Sequence, residues 1–140
     1  MILAVFDCGI LVSGIGWPGN PRACLILVAH RQVRLCVTSE VWSEYDARVP
    51  EILAQKRPGI NPRPMLDWLL TVAHFVEATP LGKPRSRDIK DDRYLACALA
   101  AGAATVVSND RDLLDLEKPF GVPVMTPVQF LRFVRERAAV

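Results

Sequence analysis

Five short runs rich in branched apolar residues punctuate this chain, and the stretches between them carry apolar residues at helical spacing. Strands alternating with helices read as βαβ units, which sets the fold class as α/β: a mostly parallel central sheet flanked by helices in three layers. The predicted strands are residues 2–6, 33–37, 75–76, 104–107 and 122–125, and Pro123 suits the last to a sheet edge. Asn20-Pro21 offers a helix start, and residues 23–29 are apolar nearly all round, which predicts a deeply covered helix. Thr38 or Ser39 caps a helix from about Glu40 to Gln55 that Pro50 should interrupt or kink. Pro64 opens another helix, and Asp91-Asp92 lead into one that Gly102 ends. A short helix over residues 110–116 and a final one from Thr126-Pro127 to Val140 complete the pattern.

A length of 140 residues argues one domain spanning residues 1–140, and 51% hydrophobic residues supply its core, which excludes disordered and fibrous classes. The net charge of +2 is too small for a protein that packages nucleic acid by bulk counterion release. The longest strongly apolar run, residues 23–29, falls far short of the ~20 residues that span a bilayer. The first residues lack a basic n-region and reach Asp7 early, so the expectation is a cytoplasmic protein with no membrane partner. Cys8, Cys24, Cys36 and Cys97 are dispersed, with no paired spacing, and read as reduced, mostly buried thiols.

In open α/β sheets the ligand crevice lies beyond the carboxyl ends of the strands. Four acids fall there: Asp7 after the first strand, Glu40 after the second, Asp92 opening a helix and Asp110 after the fourth strand. Any one of Glu40, Asp91 or Asp112 is explained by the electrostatic preference for acids in a helix's first turn. Asp7 is different, because a carboxylate directly behind a buried strand needs partners to offset its desolvation. Converging carboxylates repel one another unless a cation neutralises them. Mg²⁺ or Mn²⁺ takes oxygen ligands, keeps several waters, and can hold a phosphate oxygen while activating water. The implied chemistry is metal-assisted phosphodiester hydrolysis, with Asp7, Glu40, Asp92 and Asp110 holding one or two ions.

The segments Val5-Phe6-Asp7 with Ile10-Leu11-Val12-Ser13, Thr38-Ser39-Glu40-Val41-Trp42-Ser43-Glu44-Tyr45, Asp88-Ile89-Lys90-Asp91-Asp92-Arg93-Tyr94-Leu95-Ala96-Cys97-Ala98, and Ser108-Asn109-Asp110-Arg111-Asp112-Leu113-Leu114 resemble PIN-domain proteins. The nearest likeness is to VapC-like toxin components of toxin–antitoxin systems. The resemblance implies a PIN-like three-layer fold, Mg²⁺- or Mn²⁺-dependent endoribonuclease activity on RNA, homodimers and inhibition by a protein antitoxin. By position, Asp7, Glu40, Asp92 and Asp110 match the family's acidic centre, Ser108 its hydroxyl residue, and Asp91 and Asp112 outer helpers. One departure is Cys8-Gly9, which stands where the family commonly has Thr or Ser followed by Asn.

Competing readings are a catalytically weak PIN-like protein that binds RNA or a partner, and a dinucleotide site at Gly14, Gly16 and Gly19, which match GxGxxG. A nucleophilic Cys8 is a further option, though neither histidine has a sequence reason to lie beside it. Lys83, Arg85, Arg87 and Lys90 form a basic stretch that could clamp substrate phosphates or simply be a solvated loop. The apolar helix after Pro21, and Trp42 and Trp68, either join the core or face a subunit or antitoxin.

Overall fold

Ala4, Val5 and Phe6 are each fully buried, and because the burial is consecutive and does not alternate, β1 (Ile2–Phe6) must be covered on both faces. The computed structural model describes residues 1–78 and 92–138. It contains β2 (Val33–Val37), β3 (His74–Phe75), β4 (Thr105–Val107) and β5 (Val124–Met125), and these join β1 in one five-stranded sheet of order β3-β2-β1-β4-β5. Every pairing is parallel; Ala4 stands opposite both Leu35 and Thr105, and Phe6 opposite Val107. The chain builds outward from β1 to β3 on one side, then crosses to β4 and β5 on the other. That reversal puts a topological switch point at the carboxyl ends of β1 and β4, where such sheets open a crevice.

Helices α1 (Cys8–Gly16), α2 (Asn20–Ala29), α3 (Ser39–Lys56), α4 (Arg63–Val72), α5 (Asp92–Ala101), α6 (Arg111–Leu114) and α7 (Pro127–Ala138) flank the sheet. Capping follows the sequence: the Thr38 hydroxyl accepts from the Val41 N–H at 3.1 Å, and Gly102 leaves α5 at φ 63°. The α3 helix runs through Pro50, because its buried stripe of Val41, Tyr45, Val49 and Leu53 holds both halves against the core. The buried Tyr45 hydroxyl donates to the Phe6 carbonyl, and the Phe6 ring meets Phe130 of α7 edge-on at 5.8 Å.

Several expectations are corrected. Helix α1 begins at Cys8, immediately after β1, and so contains Gly14 and Gly16, which removes the glycine-rich turn that dinucleotide binding requires. These glycines serve packing. A Cβ on Gly14 would stand 2.6 Å from Leu25 Cδ1 and 3.1 Å from the Pro21 carbonyl oxygen, and one on Gly16 would stand 2.8 Å from Leu53 Cδ2. Gly14→Ala is therefore expected to lower stability by about 1 kcal/mol, overpacking outweighing the helix-propensity gain, as read by urea denaturation. Helix α2 is only partly covered: Cys24, Leu25 and Val28 are buried, but Ile26 is 46% exposed. Trp42 packs edge-on against Tyr45 at 5.8 Å and, with Trp68, borders the core. Among the described residues, no helix is long and apolar enough to cross a membrane. All four cysteines are free and buried, as expected.

Candidate active site

Asp7 follows β1 and caps α1, so its carboxylate sits at the switch point with little access to solvent. Its Oδ1 accepts from the Ile10 N–H at 3.0 Å, and its Oδ2 accepts from the Ser108 hydroxyl. Ser108 is itself fully buried after β4, and its Oγ also accepts from the Asp110 N–H at 2.8 Å. Burial pushes the Asp7 carboxyl up to about 6; the Ser108 and Ile10 hydrogen bonds oppose the rise, and the Asp110 and Glu44 carboxylates add to it. Burial is the main cause, and the neighbouring carboxylates add a smaller repulsion to it.

A cleft of about 390 Å³ opens over this point, lined by Asp7, Cys8, Gly9, Ser13, Glu44, Arg48, Ile52, Tyr94, Asn109 and Asp110. Its walls are the start of α1, one face of α3, the first turn of α5 and the segment after β4. Asp110 caps α6, its Oδ1 accepting from the Asp112 N–H at 2.9 Å, so Asp112 lies directly behind it. Asp92 opens α5, two residues before Tyr94 of the cleft. The Tyr94 hydroxyl accepts the Cys8 N–H at 3.0 Å and so fixes the backbone beside Asp7. Burial, with Glu44 and Asp7 adding to it, pushes the Cys8 thiol up to about 12. A neutral thiol of this kind is a poor nucleophile, which corrects the Cys8 option.

The structure places Glu40 differently from expectation. Glu40 is exposed and lines an adjoining hollow with Thr38, Ser39, Phe75, Val76, Glu77 and Ala78, while Glu44, one helical turn later, lines the cleft with Asp7. Residues 40, 44, 48 and 52 form one stripe beside the buried stripe of α3, and the cleft takes its last three members. Arg93 of α5 was also not anticipated. It donates from Nη1 to Glu44 Oε2, and its Nε lies 3.6 Å from Glu40 Oε1. Lys83, Arg85, Arg87, Lys90 and Asp91 lie outside the described residues.

The donor set suits a hard divalent cation: Asp7, Glu44 and Asp110 offer carboxylate oxygens in one cleft, and the two Asp7 oxygens each keep a lone pair beyond their hydrogen bonds. Among the described residues, no group of three or more His, Cys, Asp or Glu side chains is placed closely enough to hold a metal ion by itself. Mg²⁺ needs none, since it binds through one or two carboxylates and retains waters.

Comparison with known proteins agrees with this architecture. The PIN domain family model matches residues 4–112. The chain belongs to the PIN domain family. The match runs from β1 through Asp112, so every acid considered above lies within it. The crystal structure of PAE2754 from Pyrobaculum aerophilum superposes with a TM-score of 0.62 at 16% identity, covering 96% of this chain and 90% of that one, a likeness of fold. No curated protein matches the sequence. Membership of the PIN domain family implies a nuclease-type function in general.

Proposed function

We propose that this PIN domain is a Mg²⁺- or Mn²⁺-dependent endoribonuclease, the toxin of a toxin–antitoxin pair. The observation that carries the reading is the buried Asp7 carboxyl sharing one open cleft with Glu44 and Asp110, oxygen donors of the kind a hard divalent cation takes. Asp7, Glu44 and Asp110 would hold the ion, with Asp92 contributing from the start of α5. When bound, such an ion supplies Lewis-acid polarisation of a phosphate oxygen and a nucleophile from water. Ser108 orients Asp7 through its hydroxyl and is held in turn by the Asp110 N–H. Tyr94 fixes the Cys8 backbone at the cleft floor, and Arg48 stands where it can meet a phosphate of the entering strand.

The basic stretch of Lys83, Arg85, Arg87 and Lys90 leads in sequence into Asp92, and in this reading it clamps flanking phosphates. Neutralising Arg85 and Arg87 together is expected to weaken RNA binding and flatten its salt dependence in filter-binding titrations. The reading also includes a homodimer and a protein antitoxin; exposed Ile26, Met65 and Leu70 on α2 and α4 support an apolar partner surface. The function itself is tested by incubating purified protein with single-stranded RNA in Mg²⁺, Mn²⁺ or chelator, beside Asp7→Asn and Asp92→Asn. Cleavage by the wild type that needs metal and fails in both variants is expected. Equal cutting in all samples would reveal a contaminant, and tight RNA binding without cutting would favour the catalytically weak reading suggested by Cys8-Gly9.

A further inference from the structure

Glu40 and Glu44 stand one turn apart on the same face of α3, and the Arg93 side chain from α5 reaches both. Its attachment is unequal. Nη1 hydrogen-bonds Glu44, whose side chain is 15% exposed and lines the cleft, while Nε is buried without a hydrogen-bond partner and lies 3.6 Å from Glu40, whose side chain is 61% exposed. At that separation Nε and Glu40 form an ion pair but no hydrogen bond. A buried guanidinium nitrogen left unpaired is unfavourable, and a small movement toward Glu40 would pair it. Arg93 therefore has two carboxylates within reach, one inside the cleft and one outside it, and satisfies only the inner one.

We propose that Arg93 is a positioning residue that neutralises Glu44 when no cation is bound and transfers to Glu40 when Glu44 turns to a cation. The inference rests on the metal-dependent reading above and gives Glu40 the role of a receiving site for Arg93, separate from direct ligation. Three features support it. Asp7, Glu44 and Asp110 line one cleft, so the Arg93 guanidinium on Glu44 offsets part of their gathered negative charge. The one-turn spacing of the two acids matches the span of a single guanidinium fork. The Nε, which makes no hydrogen bond among the described residues, already faces the outer carboxylate.

Two opposite effects on cation binding follow, measurable with Mn²⁺ alone by calorimetry or by loss of the free-ion electron paramagnetic resonance signal. Arg93→Gln removes the competitor for Glu44 and is expected to tighten Mn²⁺ binding by roughly tenfold, within the usual range of coupling between interacting sites. Glu40→Gln removes the receiving carboxylate and is expected to weaken binding by about two- to fivefold, the scale of an exposed ion pair. In the Arg93→Gln background, Glu40→Gln should then change nothing. A purely structural Arg93 would give no tightening, and a Glu40 that ligates or attracts the ion directly would still weaken binding in the double variant; either result overturns the inference. If Arg93→Gln does not fold by circular dichroism, Arg93→Lys replaces it. A single ammonium cannot bridge both acids, so the Glu40→Gln effect should disappear in that background, and its persistence at full size counts against the transfer. Wild-type protein that binds no Mn²⁺ at millimolar concentration would overturn the metal reading itself, whereas binding that no variant alters overturns only the role of Arg93.

Discussion

Asp7→Asn is expected to raise the thermal stability of the metal-free protein at pH 8 while removing cleavage. In the folded chain the Asp7 carboxyl is lifted from 3.8 to about 6, chiefly by burial. A folded value above the unfolded one means the folded state holds its proton more tightly. The stability this contributes is fully present below about pH 4 and is lost as pH rises through about 6. Above that window the ionised carboxylate costs about 3 kcal/mol, at about 1.4 kcal/mol per pKa unit. Asparagine carries no such penalty and caps a helix as well as aspartate does, so the bond from the Ile10 N–H survives. The melting temperature at pH 8 should rise by several degrees, about 3–10 °C, and the gain should vanish or reverse at pH 4. Differential scanning calorimetry at the two pH values reads this directly. A fall at pH 8 would mean that the ionised carboxylate is stabilising without a cation, which the burial argument denies. Cleavage should drop by at least about 100-fold, since loss of partners behind metal ligands alone costs about 10–100-fold.

The second large effect separates the two glutamates of α3. Glu44→Gln removes a carboxylate that lines the cleft beside Asp7 and is expected to lower kcat/KM on RNA by about 100-fold or more. Glu40→Gln alters an exposed side chain in the adjoining hollow and is expected to cost about fivefold or less. Single-turnover cleavage with Mn²⁺ in excess measures both. Equal losses would restore Glu40 to the acidic centre, and a neutral Glu44→Gln would leave Asp7 and Asp110 to act without it.

The comparison of these two residues shows where sequence reasoning reached its limit. The Thr38 cap and the apolar positions 41, 45, 49 and 53 were legible as a helix with one buried face, and the structure has both. The stripe of residues 40, 44, 48 and 52 beside that face was implied by the same period. Which turn of it meets the cleft depends on how far α3 extends past the carboxyl end of β2, and that is a tertiary quantity. Glu40 was chosen because it follows the second strand and matches the acidic centre by position in the family resemblance. The signal that could have found Glu44 was its position one turn further along, between the buried Val41 and Tyr45 and four residues before Arg48.

Asp7 was legible for a sounder reason: a carboxylate directly after three fully buried residues has to be held by something, and Ser108 and Ile10 hold it. The link between Ser108 and Asp7, residues far apart in the chain, comes from the pairing of β4 with β1 and was not legible; the sequence offered Ser108 only through the family resemblance. Helix α1 was missed because residues 8–16 lack a helical polar face; six of its nine residues are buried, so the usual amphipathic signal is absent. Of the glycines that imitated a cofactor-binding turn, Gly14 and Gly16 are instead the points where α1 approaches Leu25 and Leu53.

The central claim is that carboxylates from separate segments hold a divalent cation over the carboxyl end of β1. Anomalous diffraction from a crystal equilibrated with millimolar Mn²⁺ tests it most directly. A peak in the cleft at coordination distance, about 2.1–2.4 Å, from an Asp7 oxygen and from Glu44 or Asp110 is the expected result. Density for Mn²⁺ only elsewhere on the molecule, with the Asp7 carboxyl still bonded solely to Ser108 and Ile10, would contradict it.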